Sequence, residues 1–461
     1  MTAHTDTAKM PAEYMPEPVP GPRAQALVAR DHEVIAPLGR VYPLAIDHAQ
    51  GCEVWDVDGN RFLDMNAGIA VLAAGHCHPR LMKVAQEQLQ RFTHMAGTDF
   101  YNEPMVRAAE KLVSLMPGGK GWQVFFTNSG TEAVEASIKL ARYATGRQNI
   151  IAFYGAFHGR SYGSLSLTAS KPRQRRGFFP LLPGVSHTYY PNCYRCPINL
   201  RFPSCEIACL DLIERTLFKT TTPPEEVAAI IIEPIQGEGG YVVPPPGALA
   251  RLRSICDRYG ILLIVDEVQS GVGRTGKMWA FEHEGIVPDI VASAKGLGGG
   301  LPLGAMIART ELARQWQPGS HGNTYGGNGL TCAVAYELLC MVEEELMANA
   351  ATVGAYLLEQ LQALQQRFPQ IGAVRGRGLM IGVEFVDAQG NPAGALADAV
   401  MEESFRKGLL VLTCGASTVR FCPPLTITMA QADEAVARFA LAIEACVAGK
   451  GSAAYDAGLA A

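Results

Sequence analysis

Two side chains of opposite chemistry stand at the ends of two apolar runs. Lys295 closes Asp289-Ile-Val-Ala-Ser-Ala-Lys295 and precedes the glycine cluster Gly296-Leu297-Gly298-Gly299-Gly300. Twenty-nine residues upstream, Ile261-Leu-Leu-Ile-Val265 runs into Asp266-Glu267. An amine and a carboxylate at the exits of two buried strands suit a site that needs an amine nucleophile beside a fixed negative charge. Either residue alone has a plainer reading, since a strand-terminal Asp is often a turn former and a Lys among glycines is usually solvated.

Other strand exits carry chemistry as well. Thr127-Asn128-Ser129-Gly130-Thr131-Glu132 joins a strand to a helix. Unpaired N–H groups at a helix N-terminus suit a phosphate, and they equally suit a simple Ser/Thr cap. Tyr154-Gly-Ala-Phe157-His158-Gly159-Arg160 follows the next strand. Its aromatic, His and Arg could stack on a ring and clamp a carboxylate, or form an ordinary surface loop. Glu233-Pro-Ile-Gln236-Gly237-Glu238-Gly239-Gly240 is a further polar, glycine-rich exit. Arg420 lies in the apolar stretch Thr418-Val-Arg420-Phe-Cys-Pro-Pro-Leu. A guanidinium there must reach outward or find a carboxylate, and Glu238 is a candidate. A pyridoxal phosphate enzyme requires such a collection: a lysine for the Schiff base and an acid that keeps the ring nitrogen protonated.

The elements that must position these groups alternate. Strand-like runs at Trp122–Phe126, Ile150–Phe153, Val227–Ile232 and Ile261–Val265 are separated by helical patterns, among them 131–144 and Leu249–Tyr259. Earlier helical patterns cover 81–93 and 106–115. The alternation predicts an α/β fold with a mainly parallel sheet flanked by helices, whose ligand lies outside the carboxyl ends of the strands. After about residue 330 comes a long helical stretch to about Phe368, then a helix over 394–407, a strand pair near 409–413 and 418–421, and a helix over 431–447. These predict a smaller α+β domain. Asp58-Gly59-Asn60 turns a hairpin in the segment before Asn66. The expected organisation is a flexible tail over 1–22, a segment over 23–65 joining the small domain, a large domain over 66–330, and a small domain over 331–461 that begins with a long connecting helix.

Composition narrows the function classes. The 461 residues are 48% hydrophobic and 18% charged, with a net charge of -5. That charge gives no footprint for nucleic acid or anionic membrane. No apolar run reaches the length of a membrane span. Residues 1–22 hold five prolines and none of the pattern of a signal peptide, so a cytoplasmic location is expected. Twelve cysteines are scattered along the chain. Four of them, Cys193, Cys196, Cys205 and Cys209, fall within seventeen residues. Their spacing fits no common metal template, and Cys209 is placed near a helix start. No metal is expected.

Together these segments resemble the class III aminotransferases of pyridoxal phosphate fold type I, most of all those acting on 4-aminobutyrate. The resemblance runs from about residue 30 to 445. It rests on Gly68-Ile69-Ala-Val-Leu with Gly75-His-Cys-His-Pro79, Asn128 to Ala133, Phe157 to Arg160, Glu233 to Gly240, Asp266-Glu-Val268-Gln269, Ser293 to Gly296, Thr324-Tyr325, and Arg420 with Pro423-Pro-Leu-Thr. It implies pyridoxal 5'-phosphate bound as a Schiff base on Lys295, which also shuttles the proton. Asp266 would hold the ring nitrogen and Gln269 the ring hydroxyl, with Phe157 and Val268 on the two ring faces. Ser129, Gly130 and Thr131 would hold the phosphate, and His158 and Glu233 would belong to the cofactor's surroundings. Thr324 would reach the phosphate of a partner subunit, in a homodimer or dimer of dimers with shared active sites. Arg160 would bind a substrate carboxylate, and Arg420 the α-carboxylate of glutamate with Glu238 as its resting partner. Ile69 resembles the 4-aminobutyrate and acetylornithine branches.

The implied reaction passes the amino group of an ω-amino acid to 2-oxoglutarate by a ping-pong mechanism, giving a semialdehyde and L-glutamate. Acetylornithine or ornithine as donor, and amino acid racemisation or epimerisation on the same frame, remain open. A non-catalytic phosphate-binding module does not account for Lys295 and Asp266 together.

Overall fold

The computed structural model describes Met15 and residues 18–449. Most of the segment expected to be a flexible tail lies outside the described residues. A helix, Pro22–Val34, starts with proline in its first turn, where the missing N–H costs nothing. Three strands follow: β1 (Ile46–Gln50), β2 (Glu53–Asp56) and β3 (Arg61–Asp64). β2 and β3 form the hairpin that Asp58-Gly59-Asn60 predicts.

The central run contributes β4 (Trp122–Thr127), β5 (Asn149–Phe153), β6 (Val185–Thr188), β7 (Val227–Ile232), β8 (Leu262–Asp266), β9 (Ile290–Ser293) and β10 (Gly304–Arg309). They form one seven-stranded sheet in the order β4-β10-β9-β8-β7-β5-β6. β10 is antiparallel to both of its neighbours, and the other pairs are parallel. Every residue of β7 is buried. Ile230 and Ile232 enter one apolar layer and Ala229 and Ile231 the other, the alternation of a strand covered on both faces. Each of these isoleucines contributes roughly 1.5–3 kcal/mol by burial.

The helix Gly130–Thr145 has Ser129 as its N-cap and ends at Gly146, whose φ of 66° suits glycine. The parallel strands bring Asn128, Tyr154, Glu233, Asp266 and Ala294 to one edge of the sheet. β10 was not legible as a strand, because a glycine cluster precedes it. Its register, Gly304 opposite Thr127, returns residues 300–303 to the same edge.

The C-terminal part adds β11 (Ile371–Arg377), β12 (Met380–Phe385), β13 (Leu409–Leu410), β14 (Leu412–Cys414) and β15 (Thr418–Phe421). Four of them form the sheet β11-β12-β15-β14, while β13 pairs in parallel with β3 and so ties the N-terminal hairpin to the C-terminal region. The long helical stretch spans Gly329–Met341 and Met347–Arg367, joined by a π-helical turn. The last helix, Met429–Val447, opens with a capping box of Thr428 and Gln431. Cys209 sits in a run of turns just ahead of the helical residues that begin at 211, where the left-handed backbones of Glu206 and Ile207 delay the helix.

Glu267, one residue past β8, is fully buried. Its carboxylate accepts from Ser270 Oγ at 2.6 Å and from Phe281 N at 2.9 Å, closing the loop 267–281. Burial pushes this carboxyl up from 4.5 to about 7 despite those donors. A carboxyl that titrates higher when folded adds stability below its unfolded value, and that stability is lost as pH rises through about 7. The melting temperature of the unsubstituted protein therefore falls more steeply between about pH 5 and 7.5 than that of Glu267→Gln. Parallel scanning-calorimetry profiles for the two proteins would contradict this.

Candidate active site

The shared strand edge opens onto a cavity of about 440 Å³. At one end lies the N-terminus of the helix Gly130–Thr145. Ser129, Gly130 and Thr131 line the wall, and Ser129 Oγ accepts from Glu132 N at 3.4 Å. Thr131 Oγ1 meets Ser161 Oγ at 2.8 Å and Ser164 Oγ at 2.5 Å. Free N–H groups and a positive dipole end here favour an anion. A Cβ on Gly130 would lie 2.7 Å from Val268 Cγ1, so glycine lets the turn and Val268 approach each other.

Behind the middle of the cavity sits Asp266, 4% exposed. Its Oδ2 is 2.7 Å from His158 Nδ1 and its Oδ1 accepts from Val268 N at 3.0 Å. Burial pushes the His158 imidazole down, but the hydrogen bond and charge of Asp266 more than reverse this and raise it. Glu233 completes the wall. Its two oxygens accept from Phe157 N at 3.1 Å and Gly237 N at 3.0 Å, joining the two strand-exit loops. Burial raises this carboxyl to about 7, against the pull of His158. Phe157, Val268 and Gln269 also face the cavity. Gln269 Oε1 is buried and meets no protein donor.

Lys295, two residues past β9, lines the same cavity. Its φ is 46°, a left-handed backbone that costs a long side chain on the order of 1–3 kcal/mol. No hydrogen bond or ion pair to its Nζ occurs among the described residues. Burial, then the nearby Arg420, hold its ammonium below the ordinary lysine range. That favours a neutral, nucleophilic amine.

A charged pair stands at another part of the wall. Arg420 Nη1 donates to Glu238 Oε1 at 2.5 Å, with the Arg420 side chain 4% exposed. Burial would raise the Glu238 carboxyl, but the charge and hydrogen bond of Arg420 hold it below its usual range. Glu238 lines the cavity and Arg420 lies behind it. Arg160 is exposed on the wall, its guanidinium 5.7 Å over the Phe157 ring. Ile69 is 42% exposed and Thr324 is exposed, and neither lines the cavity of its own chain.

Sequence reasoning missed Val71, Ser161 and residues 300–303, which all line the cavity. Ser161 was signalled only by its place next to Arg160. It also missed that residues 67–70 all have positive φ, between 49° and 70°. Asp64 Oδ1 braces this left-handed turn by accepting from Asn66 N at 2.8 Å and Ala67 N at 2.9 Å.

The four clustered cysteines lie away from the cavity and form no disulfide. Among the described residues no group of three or more His, Cys, Asp or Glu side chains is placed to hold a metal ion. Burial raises the Cys193 thiol, and raises that of Cys209 to about 11. Arg195, between Cys193 and Cys196, pairs with Glu384 of β12 and docks the connector on the C-terminal sheet.

Fold and site define a pyridoxal phosphate enzyme. The residues fit that group: an amine for its aldehyde, a carboxylate for its ring nitrogen, an amide oxygen without a protein donor for its hydroxyl, and a helix N-terminus for its phosphate. The chain belongs to the class-III aminotransferase family, which matches residues 34–443. It is 42% identical over 404 residues to the acetylornithine aminotransferase of Methanopyrus kandleri, covering 88% of this chain and 95% of that protein. It is 40% identical over 399 residues to the 4-aminobutyrate aminotransferase of Escherichia coli K12, covering 86% and 92%. Among solved structures, an (S)-enantioselective omega-transaminase from Thermomicrobium roseum superposes with a TM-score of 0.85 at 34% identity, covering 92% of this chain and 99% of that one. The protein is a pyridoxal phosphate-dependent aminotransferase that works on an amino donor and a keto acid. Among the described residues no helix is long and apolar enough to cross a membrane.

Gly130→Ala forces Val268 aside, an overpacking of about 1–3 kcal/mol, so the cofactor is retained roughly 5- to 150-fold less tightly. Equilibrium dialysis against pyridoxal phosphate measures this, and Val268→Ala in the same chain should restore retention. Unchanged retention in Gly130→Ala would contradict the packing argument.

Proposed function

We propose that the enzyme transfers the amino group of an ω-amino acid, 4-aminobutyrate foremost, to 2-oxoglutarate, giving a semialdehyde and L-glutamate in two alternating half-reactions. The observation that carries this reading is the pair formed by buried Arg420 with the largely enclosed Glu238 at the cavity wall. Pyridoxal phosphate, when bound, supplies the electron sink for the bond broken at the amine-bearing carbon. Lys295 would hold it through Nζ and would move the proton at that carbon. Asp266, braced by His158, would hold the ring nitrogen, and Gln269 would take the ring hydroxyl. Ser129, Gly130 and Thr131 would hold the phosphate, with Phe157 and Val268 toward the ring, since all of them line the one cavity.

The two substrates differ beside the reacting carbon. 2-Oxoglutarate carries an α-carboxylate there, and an ω-amine carries hydrogen. Arg420 binds that carboxylate in one half-reaction. In the other, Glu238 covers it, because a buried guanidinium without a partner costs about 3–5 kcal/mol. Arg160, exposed on the wall, suits the distal carboxylate that both substrates share. Ile69, exposed on its left-handed turn, is proposed to contact the donor substrate.

The same reading takes the enzyme as a homodimer or dimer of dimers. Thr324, outside its own chain's cavity, would serve the partner subunit's phosphate end. Residues 66–330 act as the cofactor domain and 331–461, with 23–65, as the smaller one. Twelve cysteines without a disulfide suit the reducing cytoplasm.

Adding 4-aminobutyrate should bleach the cofactor's visible band, and 2-oxoglutarate should restore it. Lys295→Ala should show neither change. Glu238→Gln should slow the 4-aminobutyrate step roughly a hundredfold or more while sparing the step with L-glutamate. Failure with every ω-amine, together with α-proton exchange of an L-amino acid in deuterated water, would establish racemisation instead.

A further inference from the structure

The mechanism above leaves one charge without a home. When Arg420 is given to the keto acid, the Glu238 carboxylate loses its partner while still largely enclosed by protein. Its backbone cannot follow, because Glu238 O accepts from Gly415 N at 2.8 Å. Only the side chain can move, and a nearby cation must receive it.

The candidates are few. Arg375, beside the same turn, donates to Gly240 O at 2.6 Å, Tyr241 O at 3.0 Å and Glu384 Oε2 at 2.6 Å, so its N–H groups are committed. Lys295 must stay a neutral amine to do its chemistry. Lys171 is different. Its Nζ lies 4.0 Å from Glu238 Oε2, on the other side of the carboxylate from Arg420, which holds Oε1. Lys171 and Glu238 are similarly enclosed, at 21% and 19% side-chain exposure. No other carboxylate pairs with Lys171 among the described residues.

Lys171 is also held in place. Ala169 N donates to Ala156 O at 2.8 Å and Gly155 N to Ala169 O at 3.1 Å, joining the segment to the loop that carries Phe157. The turn Pro172–Gln174 follows at once. Lys171 also lines a second cavity of about 340 Å³, together with Arg173, Asp398, Cys414 and Gly415.

We propose that Lys171 is a positioning residue that receives the Glu238 carboxylate while Arg420 binds the α-carboxylate of the keto acid. The proposal rests on the Glu238–Arg420 reading given above. The pair Glu238–Lys171 makes release of Arg420 an exchange of partners in place of the exposure of a buried charge. Lys171 thus sets the affinity for α-carboxylate substrates without touching them.

The test measures the two half-reactions of the holoenzyme separately by stopped-flow absorbance. In Lys171→Gln the half-saturating concentration of 2-oxoglutarate rises about 10- to 100-fold, since a freed carboxylate loses its partner. The rate with 4-aminobutyrate, and the return step with succinic semialdehyde, which lacks an α-carboxylate, change less than about twofold. Lys171→Arg restores 2-oxoglutarate affinity. In a Glu238→Gln background, Lys171→Gln has no further effect, because no charge needs a new partner.

An equal loss in both half-reactions would make Lys171 merely structural and overturn the proposal. So would unchanged 2-oxoglutarate affinity, or an effect that persists in full without Glu238, which would mean direct substrate contact. If 2-oxoglutarate is no acceptor for the unsubstituted enzyme, the reading of its substrate fails on its own. The same cycle run with pyruvate, which also carries an α-carboxylate, then decides the role of Lys171.

Discussion

The hydrogen bond between His158 Nδ1 and Asp266 Oδ2 holds the site together. Both side chains are almost wholly buried, 2% and 4% exposed. A carboxylate taken out of water needs a charged or hydrogen-bonding partner, and removing one such partner costs about 3–5 kcal/mol. Asp266 ends a central strand, and His158 sits on the loop after β5, two strands away. Their bond therefore fixes the distance between two strand exits. Phe157, next to His158, is held through its N–H by Glu233 on a third exit. The walls of the cavity are in this way braced by polar groups that the sheet edge cannot bury unpaired.

The same rule governs the Glu238–Arg420 pair. Arg420 lies within β15 of the C-terminal sheet, and Glu238 lies in the turn after β7 of the central one. Arg375 and Arg195 converge on Glu384, and Arg375 also donates to Gly240 O, two residues past Glu238. The turn that carries Glu238 is thus held to the C-terminal region through its carbonyls, by the Arg375 side chain and by Gly415 N, while the Glu238 side chain pairs with Arg420.

Backbone strain gathers at this edge. Lys295 and residues 67–70 hold left-handed conformations that isolated peptides avoid. Neighbouring groups hold the first of these turns, where Asp64 accepts from Asn66 N and Ala67 N. Strain that persists only where the surroundings enforce it marks positions where side-chain aim matters more than local comfort.

Much of this was legible in the chain. The nearly uniform apolar run Val227–Ile232 reads as a strand covered on both faces, and every residue of it is buried. The polar residues at strand exits, Ser129, Glu233, Asp266 and Lys295, could be read as one edge because parallel strands all end on the same side. The cost of a lone buried guanidinium called for a carboxylate partner to Arg420, with Glu238 a candidate, and the structure pairs the two. Local periodicity records which faces a segment buries, and charge rules record which groups need partners. Neither records which distant segments meet. The antiparallel β10, the left-handed turn at 67–70, the exposure of Ile69 and Thr324 away from their own cavity, the bond from His158 to Asp266 across 108 residues, and the approach of Lys171 to Glu238 were decided by closure of the sheet and packing of the layers. The sequence by itself determined the chemistry available to this protein. Tertiary structure decided which charges stand within reach of one another, because that depends on long-range pairing of backbone and on burial that no local pattern contains.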